Sequence, residues 1–119
     1  LVSAIKERFP KIEVLAVGTN SMATAAMLRA GADQAATGEN SVVVASSRAE
    51  VILGPIGIVI ADSMMGEITP RMAVAIGQSH AKRILIPVNH CDNIIVGVAE
   101  SSMTRNVQNA MTALEALIS

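Results

Sequence analysis

KIEVLAVGTNSMATAAMLRAG, residues 11–31, runs a β-branched apolar segment into a Gly-Thr-Asn turn and then into a small-residue helical stretch. Residues 11–17 read as a strand, because Ile, Val and Leu suit a pleated, buried surface. Thr19 or Asn20 then caps a helix over SMATAAMLRA, with Arg29 in its last turn and Gly31 closing it. A strand leaving through a tight turn into a helix is the opening of a β–α–β unit. The rest of the chain repeats this alternation.

Upstream, LVSAIKERFP reads as the second half of a helix that Pro10 ends. The chain opens on Leu1 rather than Met, so a preceding piece is expected. Downstream, ATGENSVVVASS, with Thr37 as an N-cap, is assigned to a short helix in preference to a strand, and residues 49–54 (AEVILG) to a buried strand. Pro55 and Gly57 mark a turn, after which GIVIADSMM is assigned to a helix, although periodicity alone does not separate helix from strand there. Thr69 followed by Pro70 is a helix start that carries Met72, Ala73 and Ile76 inward and ends near Ser79. Residues 82–88 (KRILIPV) form a further strand, NHCD a turn, and residues 93–98 (NIIVGV) a final strand. Met103, Val107, Ala110, Met111, Leu114, Leu117 and Ile118 lie three and four apart, one helical stripe capped by Ser101 or Ser102. About four strands and five or six helices in this order specify an α/β fold: a doubly wound, mostly parallel sheet in three layers, residues 1–119 forming a single domain.

Composition narrows the function classes. Apolar residues make up 51% of the chain and charged residues 16%, which excludes intrinsic disorder. The formal net charge of -1 gives no electrostatic case for nucleic acid or an anionic membrane as partner. Phe9 is the sole aromatic residue, so the stacking platform of single-strand binders is missing too. One cysteine, Cys91, excludes an internal disulfide and a multi-cysteine zinc site, and points to the cytoplasm. The longest apolar stretch, residues 51–61, is broken by Gly54, Pro55 and Gly57 and falls short of the ~20 residues of a membrane helix. A charge-poor surface favours a homo-oligomer. Met64, Met65, Met103 and Met111 are candidates to line its subunit contact, although Met more often fills a core.

In a doubly wound sheet, ligands sit beyond the carboxyl ends of the strands. Three turns emerge there: Gly18, Thr19 and Asn20; Gly54, Pro55 and Gly57; and Asn89, His90, Cys91 and Asp92. A helix starting after Gly18 aims free N–H groups at an anion such as phosphate, and Gly54 and Gly57 permit close backbone approach. Thr37, Gly38, Glu39 and Asn40 form a second polar cluster, for which helix capping is a sufficient explanation by itself. Glu67 precedes a helix and suits its positive end. Asp62, inside an apolar stretch, is expected to need a partner: a local hydrogen bond, a ribose hydroxyl or a metal. His90 and Cys91 suggest a nucleophile and base, but adjacent residues rarely orient toward each other, and His80 is placed near a helix carbonyl end. Walker-type phosphate loops, zinc-ligand spacings and serine elbows are not found, so no metal and no catalytic residue is assigned.

VGTNSMATAAMLRAGADQAATGEN, GPIGIVIADSMMGEITPRMAVAIG and ILIPVNHC together resemble domain-of-unknown-function family 3842, small bacterial proteins, from Leu1 to about Val98. The resemblance implies a Rossmann-like fold in which a strand and a glycine-rich turn precede the opening helix. It also marks Gly18, Thr19, Asn20, Thr37, Gly38, Glu39, Asn40, Gly54, Pro55, Gly57, Glu67 and Asn89 as motif positions, and implies no activity. Two functions are therefore expected. The first is a protein binding a nucleotide, a dinucleotide or another phosphorylated metabolite at the carboxyl edge of the sheet. The second is a non-catalytic regulatory or interaction subunit acting as a homo-oligomer.

Overall fold

The computed structural model describes residues 1–88, 92–98 and 102–118. In chain order it runs α1 (Val2–Arg8), β1 (Leu15–Gly18), α2 (Ser21–Arg29), β2 (Gln34–Thr37), α3 (Glu39–Arg48), β3 (Val51–Pro55), a 3-10 turn (Ile56–Val59), α4 (Pro70–Gln78), β4 (Lys82–Ile86) and α5 (Met103–Ile118). The strands form two parallel pairs. β1 lies beside β2 with Leu15 opposite Gln34 and Gly18 opposite Thr37, and β3 lies beside β4 with Val51 opposite Lys82 and Pro55 opposite Ile86. Each pair is a β–α–β unit, with α2 and α4 as the crossovers. The architecture is thus α/β with parallel strands, divided between two two-stranded sheets.

β1 begins later than its sequence indicates. Asp33 Oδ2 accepts a hydrogen bond from Val14 N at 2.8 Å, taking the place of a ladder partner, and Lys6 Nζ holds the same oxygen at 2.9 Å. The backbone amides of Asp33 and Gln34 both donate to Val14 O, and regular pairing starts at the next residue. β2 was not expected at all. Its QAAT sequence has no β-branched apolar run, and its strand conformation comes from pairing with β1. Here tertiary context overrides weak local preference.

Two segments depart further from expectation. Instead of a helix, GIVIADSMM forms the 3-10 turn and then a coil of tight turns over residues 61–67. Asp62, Met64 and Met65 take φ of 64°, 56° and 58°, left-handed values that a right-handed helix cannot contain. The turn is pinned by Asp62 N to Ile68 O at 2.7 Å and by the buried Ser63 hydroxyl on Gly57 O. Residues 93–98, expected as the final strand, form no strand. Ile94 and Val96 are 89% and 92% exposed, so nothing packs on their β-branched side chains, and Gly97 turns the chain at φ 84°.

The core is in two parts. Ile5 of α1 and Ala110, Met111 and Leu114 of α5 meet Ile86 of β4, with Val14, Val51, Leu53 and Ile84 packed around them. Arg8 and Glu115 add an ion pair between α1 and α5 at the surface. Ile68, Met72 and Ala73 form the other cluster, against Val42 of α3 and Ile58 and Met64. Met72, Ala73 and Ile76 are buried as the Thr69-Pro70 signal requires. Only the middle of the α5 stripe is buried, since Met103, Leu117 and Ile118 are exposed. Met111 is buried in the first cluster and Met64 half-buried against the second, so of the four methionines offered for a subunit contact only Met65 and Met103 face solvent. Among the described residues, no helix is long and apolar enough to cross a membrane.

Burial along α5 sets its mutational profile. Leu114→Ala should cost roughly 2–5 kcal/mol, the range for truncating a buried leucine. Leu117→Ala, on the exposed side, should stay within about 0.5 kcal/mol. Urea unfolding followed by far-ultraviolet circular dichroism separates the two.

Candidate functional site

The site begins with a steric requirement at the end of β1. A Cβ on Gly18 would lie 2.2 Å from Thr24 Oγ1 and 2.7 Å from the Thr24 backbone nitrogen. Only glycine lets the first turn of α2 sit this close to the strand end. Asn20 then caps α2, its Oδ1 accepting from Ala23 N at 2.9 Å. Thr24 Oγ1 lies within hydrogen-bond distance of Asn20 O at 3.0 Å, Ala36 O at 3.3 Å and the Thr37 hydroxyl at 2.7 Å. The close approach at Gly18 therefore also fastens the exit of β2.

The second exit is bound to the first through the backbone: Gly38 N donates to Gly18 O at 3.1 Å. Thr37 is engaged with Thr24, and the N-cap of α3 is Gly38, not Thr37 as expected. Gly38 takes φ 104°, has no side chain to cap with, and has no atom within 4 Å of where a Cβ would stand. The first turn of α3 is thus uncapped and opens at a glycine, with Glu39 half-buried and Asn40 exposed beside it.

Two carboxylates draw the segment before α4 onto this edge. Glu67 Oε1 accepts from the Thr19 hydroxyl at 2.5 Å and from Asn20 Nδ2 at 3.1 Å. Glu39 Oε1 accepts from the Thr69 hydroxyl at 2.5 Å, and Arg71 Nη1 stands 3.7 Å from its other oxygen. Thr69 itself caps α4, accepting from Met72 N at 3.2 Å. Glu67 was expected to serve the helix that follows it; it instead serves the start of α2. The hydrogen bonds from Thr19, and then from Asn20, lower its pKa below the ordinary 4.5.

Gly18, Thr19, Asn20, Thr37, Gly38, Glu39 and Asn40 thus gather at one edge, joined by Glu67. Gly54, Pro55 and Gly57 form a packed turn of their own. The place of a Cβ on Gly54 is 3.0 Å from Ile58 Cδ1, and Gly57 O is taken by Ser63, so the chain's own side chains occupy both approaches. Asn89, His90 and Cys91 lie outside the described residues. Asp62 is exposed and has no burial to offset, contrary to the expectation of a buried carboxylate. Thr24 and Arg71 were not singled out in the sequence, and Thr69 was read there only as a helix start. Thr24 had a legible signal, four residues after its cap and so one turn along α2, whereas the pairing of Thr69 with Glu39 spans 30 residues and has none. Among the described residues, no three His, Cys, Asp or Glu side chains gather to hold a metal. The edge offers carboxylate acceptors for hydroxyl or amide donors, and backbone N–H groups for an anion.

Two outcomes follow. Gly18→Ala should lower unfolding free energy by about 1–3 kcal/mol, as forced overpacking does, measured in urea. A depressed carboxyl pKa contributes stability that is present above the ordinary value and lost as pH falls through the lowered folded value. The melting-temperature gap between the parent and Glu67→Gln should therefore be widest near neutrality and close on acidification below about pH 4.5.

Comparison with known proteins gives one family. The model of the family described as Domain of unknown function (DUF3842) matches residues 1–119, and the chain belongs to that family. No curated protein and no solved structure matches it.

Proposed function

We propose that this member of the DUF3842 family is a Rossmann-like protein that binds a nucleotide or another phosphorylated metabolite at the carboxyl ends of β1 and β2. The observation that carries the reading is the open corner at Gly38: an uncapped helix start, with no atom within 4 Å of where a Cβ on Gly38 would stand, tied to the end of β1 by the Gly18 carbonyl. Such a start presents N–H groups and a partial positive charge, which suits a phosphate. Thr37 and Asn40 flank it. Glu39 and Glu67 now accept hydrogen bonds from Thr69 and Thr19, and in the complex they accept from sugar hydroxyls. Phosphate is assigned to the start of α3, where the Glu39 carboxylate is engaged by Thr69 and Arg71, whereas Glu67 reaches the cap of α2 through Asn20 Nδ2.

In this reading the two parallel sheets are halves of one doubly wound sheet, which a strand ahead of α1 joins between β1 and β3. Support comes from the parallel pairing in both halves and from a core that mixes residues of both, Val14 with Val51 and Ile84. The protein works in the cytoplasm on a small ligand, without nucleic acid. A second reading, an interaction subunit acting as a homo-oligomer, is favoured by the full exposure of Met65 and the 82% exposure of Met22.

Thermal unfolding by circular dichroism tests the first reading, since a chain with one Phe and neither Trp nor Tyr gives almost no intrinsic fluorescence. A nucleoside diphosphate, dinucleotide or sugar phosphate present at about 100 times its dissociation constant should add about 2.7 kcal/mol of stability. Asn40→Asp places a negative charge in the first turn of α3, which helps the free helix but repels phosphate. It should leave the unliganded melting temperature unchanged or higher and remove most of the ligand-induced rise. A folded, oligomeric protein indifferent to the whole panel would instead support the second reading.

A further inference from the structure

A cavity lies away from this edge, between the exit of β4 and α5, with a volume of about 830 Å³. That is within the roughly 300–1,000 Å³ of small-molecule sites. One wall is residues 84–87, the last part of β4 and the proline after it; Ile86 is core, and its neighbours are half-buried. β4 pairs with β3, and among the described residues no strand pairs with its other side. The opposite wall is α5. Ser102, Arg105 and Asn109 are spaced three and four apart, so they line up along the helix as one polar rail.

Among the described residues that line this cavity, Arg105 is the one charged side chain. Among the described residues the Arg105 guanidinium makes no ion pair or hydrogen bond, whereas Arg8 and Arg71 each have a carboxylate and Arg83 is held on backbone carbonyls. The β1–β2 edge differs: it sets the uncapped start of α3 beside the carboxylates of Glu39 and Glu67. An apolar wall facing a rail of hydroxyl, amide and one guanidinium matches a molecule with an apolar body and an anionic head. The guanidinium fork takes such a head through two parallel hydrogen bonds.

We propose that the cleft between β4 and α5 is a binding site for a small organic anion, with Arg105 pairing the anionic group and residues 84–87 receiving the apolar body. The site is independent of the one at Gly38 and stands or falls separately.

The probe is 8-anilinonaphthalene-1-sulfonate, an aromatic body bearing one sulfonate, whose fluorescence rises on binding against a chain with almost no emission of its own. The folded protein should bind it saturably. Arg105→Gln should weaken binding about tenfold, as loss of a charge-assisted pair does. Ala113→Phe, which fills the cleft from the exposed side of α5, should abolish it, and Arg29→Gln, a cation on α2, should leave it unchanged. Circular dichroism of each variant confirms the fold. Competition by hexanoate stronger than by inorganic phosphate supports an apolar-bodied ligand; the reverse order overturns that part of the assignment. Equal binding by the parent, Arg105→Gln and Ala113→Phe, or no saturable binding by the parent, overturns the proposal.

Discussion

The absence of a side chain at Gly18 is the constraint on which the rest of this edge depends. Thr24 comes so near the strand end that its backbone nitrogen would lie 2.7 Å from any Cβ placed there. Because that position is empty, α2 starts against β1, and the Thr24 hydroxyl reaches Thr37 at the end of β2. Because β2 ends there, Gly38 can donate to Gly18 and begin α3 at the same edge. Three elements are registered by one missing methyl group. Glu67 and Glu39 then bring in a fourth, the start of α4.

Much of this was written locally in the chain. Thr69-Pro70 announces α4, the stripe through Ala110, Met111 and Leu114 announces α5, and the β-branched runs mark β3 and β4. In each case a short-range preference agrees with the burial that the fold imposes. The failures are those where it does not. QAAT becomes a strand through a neighbour 19 residues away in register, and NIIVGV, a strand by composition, forms none. Residues 61–67 carry apolar side chains in a left-handed path that no periodicity encodes.

The candidate site divides in the same way. Gly18, Thr19, Asn20 and the cluster from Thr37 to Asn40 were legible as turn chemistry at strand ends. Their convergence was not, since Glu67 joins Thr19 across 48 positions and Glu39 joins Thr69 across 30. Which glycine stays open was also invisible: Gly18 and Gly54 both face their own chain's atoms, while Gly38 faces none. Charge separates the edge from the cavity in a way that net composition hides. A chain of net charge -1 carries an acceptor-rich edge in one place and, in another, a guanidinium with no ion pair among the described residues.

The central claim is that the Gly38 corner, rather than Gly18 or Gly54, receives the phosphate. A titration of nitrogen-15-labelled protein with a nucleoside diphosphate, read by amide chemical shifts, tests it directly. The account predicts that the largest shifts fall on Gly38, Asn40 and Ser41, with smaller ones at Thr19 and Glu67 as their hydrogen bonds rearrange. Shifts confined to Gly54 and Gly57 or to Arg105 and Asn109, or no shifts at all, would contradict it.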